Sequence, residues 1–190
     1  MGNFVNVGGM SLNGYERKNL FRNLNGEGFP LDGAVPFLDV GYVAGADLLE
    51  DGRGMAAIDI ENDGDLDLIV ENYLQPARLL VNRGTPGNHW LELKLEGAGP
   101  ERGGSNRSAL GARAIVRAGG RRFTREVVSS CGYLTGTSHT LHFGLGAISS
   151  VESVEIRWPS GRLQTIPSLT IDRRHRIEEL TLGSATARAR

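Results

Sequence analysis

The chain has 190 residues, a formal net charge of −1 and one cysteine, Cys131. That length allows one or two domains, and a lone cysteine excludes an intrachain disulfide framework. No run approaches the roughly 18 apolar residues of a membrane-crossing helix, and "MGNFVNVGGM" lacks the basic and apolar regions of a signal peptide.

Charge is unevenly spread. Residues 1–87 hold 6 Lys+Arg against 13 Asp+Glu, whereas residues 88–190 hold 15 against 9. An acidic part followed by a basic part predicts two units with different surfaces. The interruption at "NRGTPGNHW" marks the boundary, giving an N-terminal region 1–87, a second domain 88–182 and a polar tail 183–190 expected to be disordered. A weak repeat relates "KNLFRNLNGEGF" to "ARLLVNRGTPGN", about 59 residues on.

In chain order, the first strong signals are "RGMAAIDI" and "DLDLIVEN", two strands around an acidic stretch. Within "DIENDGDLDL" five acids alternate: Asp59, Glu61, Asp63, Asp65 and Asp67. Carboxylates at that spacing repel one another unless a cation neutralises them. A hard oxygen-donor set suits Ca²⁺, with ligands at loop positions 1, 3, 5, 7 and 9 counted from Asp59 and a turn at Gly64. Position 7, Asp65, is expected to give its backbone carbonyl. An EF-hand is excluded, because position 12 is Val70 and both flanks are strands. Zinc is disfavoured, since no Cys or His is near, and magnesium seldom uses an all-protein cage. The plainer alternative is an acidic hairpin turn.

Further strands follow at "ARLLVNR", "HWLELKL", "GARAIVRAG", "RRFTREVV", "HTLHFGL", "VESVEIRW" and "HRIEEL", each alternating and bounded by turn residues. The polar, glycine-rich loop 96–111 has the length of a mobile or functional segment. Arg113 and Arg117 share one strand face, as do Arg121 and Arg125; paired through "AGGR", they form a candidate basic surface, weighed against a solvated face. Nucleic acid is not expected, because stacking aromatics are few. Tyr133, in the glycine-bounded "CGYLTG", is a reserve candidate for partner contact. His142 is expected to pack or hydrogen-bond within its domain, and stands beside Tyr133 as a candidate ligand or partner contact. Trp90, Phe143 and Trp158 are expected in the core. No nucleophile–base pair or phosphate-cradling motif is visible.

The stretch "AAIDIENDGDLDLIVEN" resembles an FG-GAP-type repeat of an integrin-like β-propeller, with Asp59, Glu61, Asp63, Asp65 and Asp67 on its calcium motif. Glu61 stands where that motif usually has Asp or Asn. "NLFRNLNGEGF" resembles the end of a preceding repeat. "NHWLELKLEG", "GARAIVRAGG", "REVVSSCGYLTG", "LHFGLG" and "VEIRWPSGRLQ" resemble the ASPIC/UnbV domain that commonly follows such repeats. The resemblance implies an all-β chain, partial propeller blades followed by a compact sandwich- or barrel-like domain, with Ca²⁺ as cofactor. It implies an extracellular or cell-surface, non-enzymatic recognition or adhesion module with a protein or glycan ligand. It also raises the expectation of another chain completing the propeller. Two alternatives stand beside it: an enzyme or accessory protein of natural-product or carbohydrate metabolism, and an acidic-glycan binder using the arginine face.

Overall fold

The short alternating segments form strands throughout, and the computed structural model describes residues 17–24, 37–133 and 135–181. The described residues contain no α-helix, only a 3-10 turn at Pro100–Arg102. The protein is all-β. No helix among the described residues is long and apolar enough to cross a membrane. The expected tail 183–190 and all of "NGEGF" lie outside the described residues.

Packing divides the chain into two compact units. One holds the residues up to Met55 with Leu68–Leu80; the other holds Ala56–Asp67 and Val81 onward. The charge break near residue 87 and the packing break therefore do not coincide.

In the first unit β1 (Phe21–Asn23) pairs antiparallel with β2 (Phe37–Asp39). A three-stranded sheet runs β3 (Gly52–Ile58), β4 (Asp67–Asn72), β5 (Arg78–Leu80), with Ala56–Ile58 and Asp67 counted in the second unit. Leu68 pairs with Leu80 and Ile69 with Leu79, fixing an antiparallel register between β4 and β5. Apolar burial is thin: Ala46 and Val70 are the buried apolar residues of this unit among those described. Ile69 and Leu79, cross-strand neighbours, stay exposed at 38% and 51%.

The second unit is a β-sandwich. Its strands are β6 (His89–Glu96), β7 (Arg113–Ala118), β8 (Arg121–Glu126), β9 (Thr140–Gly146), β10 (Ser153–Arg157), β11 (Leu163–Ile166) and β12 (Arg173–Glu178). One sheet has the order β11-β10-β7-β8, the other β12-β6-β9, with β12 parallel to β6. Alternation sends Leu91, Leu93 and Leu95 of β6 inward to meet Val116, Val154 and Ile156 of the facing sheet. Burying one such side chain contributes about 1.5–3 kcal/mol, so the apolar core resides here. Phe143 and Trp158 join it as expected, and Trp158 Nε1 donates to Gln164 Oε1 at 3.1 Å.

The loop after β6 is tied down by a residue that sequence reasoning passed over. Glu179 has a fully buried carboxylate. It accepts from the amides of Ala98 (3.0 Å) and Ser105 (2.6 Å) and from the Ser105 and Ser160 hydroxyls. Burial pushes its pKa up, but those bonds, led by Ser160, outweigh it and hold the carboxyl below its ordinary value.

Candidate metal loop on the sandwich

The acidic loop begins where β3 ends at Ile58 and closes where β4 opens at Asp67. Both end carboxylates are buried, Asp59 at 9% and Asp67 at 2% exposure. Asp59 accepts the amides of Asp63 (3.2 Å) and Gly64 (3.0 Å). Asp67 accepts those of Ile60 (3.2 Å) and Asn82 (2.8 Å). Asp63 Oδ1 takes the Asp65 amide at 3.0 Å. These bonds curl the chain and cross-link it to the strand exit at Asn82.

A carboxylate offers about four lone-pair sites, so each oxygen of Asp59 and Asp67 that accepts one amide keeps a second pair. Asp65 shows what the crowding costs. Burial raises its pKa first, then the charges of Asp63 and Asp59; His142 opposes them and Asp67 adds to them. Its carboxylate lies against Gly84, where a Cβ would stand 1.9 Å from Oδ2. Glu61 and Asp63 are exposed. The donor set is all hard oxygen, the chemistry Ca²⁺ takes. Among the described residues no group of three or more His, Cys, Asp or Glu side chains is drawn together as a finished metal cage.

The loop is seated on the outer face of the β12-β6-β9 sheet. On that face Glu92 of β6 is the register partner of both His142 of β9 and Arg174 of β12. His142 Nε2 donates to the Gly64 carbonyl at 2.7 Å. Arg174 binds the buried Glu92 carboxylate at 2.6 Å through Nε and reaches Asn62 Oδ1 at 3.5 Å through a terminal nitrogen. Gly64 has φ +93°, and a Cβ there would sit 2.0 Å from Trp90 Nε1. Only glycine meets both conditions. Trp90, expected in the core, is instead a half-buried floor under the loop.

The remaining candidates fall elsewhere. The β7–β8 hairpin forms, turning at Gly119–Gly120 and pairing Arg117 with Arg122 and Ala114 with Arg125. Partners across a ladder share a face, so Arg113 and Arg117 lie outward and Arg121 and Arg125 lie on the opposite face with Phe123. The four do not make one surface. Arg121 stacks over Phe123 at 5.4 Å and Arg125 donates to the Thr124 carbonyl. Tyr133 is 68% exposed and Cys131 is a free, exposed thiol. Loop 96–111, read as mobile or functional, is held by Glu179 and by an Asn106–Leu110 bond pair.

The molecule is thus defined by an all-β sandwich with an acidic loop seated on one sheet. Residues 102–182 match the family model described as ASPIC and UnbV. The chain is also 31% identical over 122 residues to "Cartilage acidic protein 1" of Xenopus tropicalis, a match covering 60% of this chain and 18% of that protein.

Proposed function

We propose that the chain is a calcium-binding, non-enzymatic recognition module in which an FG-GAP-like loop is braced against an ASPIC/UnbV-type sandwich. One observation carries this reading: Asp59 and Asp67, buried and amide-bonded, hold a loop in which burial first, and then the charges of Asp63 and Asp59, push the Asp65 carboxyl above its ordinary value. A divalent cation removes that repulsion. Asp59, Glu61, Asp63 and Asp67 would supply carboxylate oxygens and Asp65 its backbone carbonyl. The ion would brace the loop and supply no reaction chemistry.

The exposed Ile69–Leu79 pair supports a propeller-blade reading of β3–β5, since blades cover their faces with neighbouring blades. Similarity to a protein named for cartilage supports an extracellular setting, where loops of this kind work with Kd on the order of 10⁻⁴–10⁻³ M. A recognition role also fits the chemistry of Ser160. Its hydroxyl bonds Glu179, a sealed carboxylate already saturated with donors, with no imidazole between them.

Terbium luminescence excited through tryptophan tests the reading, because Trp90 lies against the loop. Emission is expected, displaced by calcium and lost in Asp63→Ala. Emission unchanged in Asp63→Ala would refute it.

A further inference from the structure

We propose that the outward face of the β11-β10-β7-β8 sheet binds a sulfated polysaccharide, with Arg117 and Arg122 as its centre. The inference rests on the recognition reading above and gives it a partner chemistry.

The register sets the geometry. Arg117 stands directly opposite Arg122 across β7–β8, and Arg113 stands directly opposite Arg157 across β7–β10. Directly opposed side chains on a ladder have Cβ atoms roughly 4.5–5.5 Å apart, and like charges there are destabilising. This sheet keeps two such pairs on one face, separated along β7 by four residues, about 13 Å. All four guanidiniums are exposed. Among the described residues none of the four has an ion pair or hydrogen-bond partner. The contrast within the same hairpin is sharp, because Arg121 and Arg125, on the other face, are both engaged.

The acids on the face narrow the ligand. Glu126 is the register partner of Arg113, and Glu155 faces Ile115 in the middle row. The Arg117–Arg122 row carries no acid. Charge is therefore grouped in two cationic pairs with a less favourable middle, which suits a polymer bearing separated sulfates. A single-stranded nucleic acid needs stacking platforms, and the paired rows of this face contain no aromatic residue. Guanidinium forks bind sulfate oxygens in the bidentate manner that ammonium groups lack.

The test uses the full chain and fluorescent heparin oligosaccharide, with anisotropy read at low and moderate salt. Arg117→Ala/Arg122→Ala is expected to weaken binding about tenfold or more, as loss of two charge-assisted contacts requires. Arg121→Ala/Arg125→Ala is expected to change it less than about twofold, the same net charge having been removed from engaged side chains. Desulfated oligosaccharide should not bind, and single-stranded DNA of equal charge should bind more weakly. Equal losses in the two double variants, or no binding to heparin, would overturn the proposal; so would DNA binding as tight as heparin. A calcium titration of each variant separates the two readings. Heparin failure with an intact calcium response sinks only the glycan site, whereas a missing calcium response with heparin binding retained sinks only the metal loop.

Discussion

His142 Nε2 stands 2.7 Å from the carbonyl oxygen of Gly64, joining strand β9 to the turn of the acidic loop across 78 residues of sequence. The nitrogen must carry the proton, because the carbonyl can only accept. His142→Ala removes the donor and is expected to cost about 1 kcal/mol, or roughly 2–4 °C in melting temperature. Hydrogen exchange at the Asp63 and Gly64 amides should accelerate, with the amides of Leu93 and Val154 unchanged. Uniform acceleration across the sandwich would mean that the bond is not a local anchor.

Gly64→Ala should be worse than a loop substitution normally is. It meets a positive φ of +93° and an indole 2.0 Å from its new Cβ. Gly120, at φ +68° with open space around it, meets only the first. Backbone strain of this kind costs about 1–3 kcal/mol, so Gly120→Ala falls in that range and Gly64→Ala beyond it. Tryptophan emission should shift in Gly64→Ala alone. Equal destabilisation of the two variants would count against the loop's seat on Trp90.

Glu179 makes stability depend on acid. Its folded-state pKa is lowered, so its contribution is present above the ordinary carboxylate pKa and is lost as pH falls through the folded value. Melting temperature of the native chain is therefore expected to drop from about pH 5 downward. Glu179→Gln should melt lower at neutral pH and show a flatter acid limb. Parallel limbs in the two proteins would remove Glu179 from the account.

The two units should respond differently to lost side chains. Leu93, with no exposure, sits in the sandwich core, whereas Leu79 is half exposed. Leu93→Ala is expected to cost about 2–5 kcal/mol in urea unfolding, and Leu79→Ala about 0.5 kcal/mol or less. Similar costs would contradict the placement of the core.

Most strands were legible because alternation is a local signal, and the acidic loop was legible as a turn because its polar, glycine-containing stretch lies between two alternating runs. The arginine faces were not. Arg113 and Arg117 share a face by period two, but the two-residue turn decides whether Arg121 or Arg122 joins them, and it selects Arg122. His142 gave no hint of Gly64, since that bond closes only after the sheet forms. Trp90 alternates with Leu91, so one of the two had to leave the core, and the leucine ladder took the inside. Glu179 could have been found: period two from the inward Ile177 places it on the buried side, where an acid demands donors.

The most direct measurement is a thermal melt of the full chain in about 10 mM calcium and in EDTA, beside Asp63→Ala. If the loop binds calcium with a Kd of about 10⁻⁴–10⁻³ M, as proposed, calcium at that level would stabilise the folded state by about 1.4–2.7 kcal/mol. Melting temperature is expected to rise by several degrees in the native chain (about 3–10 °C) and not in Asp63→Ala. Superimposable melts of the native chain with calcium and with EDTA would contradict that expectation.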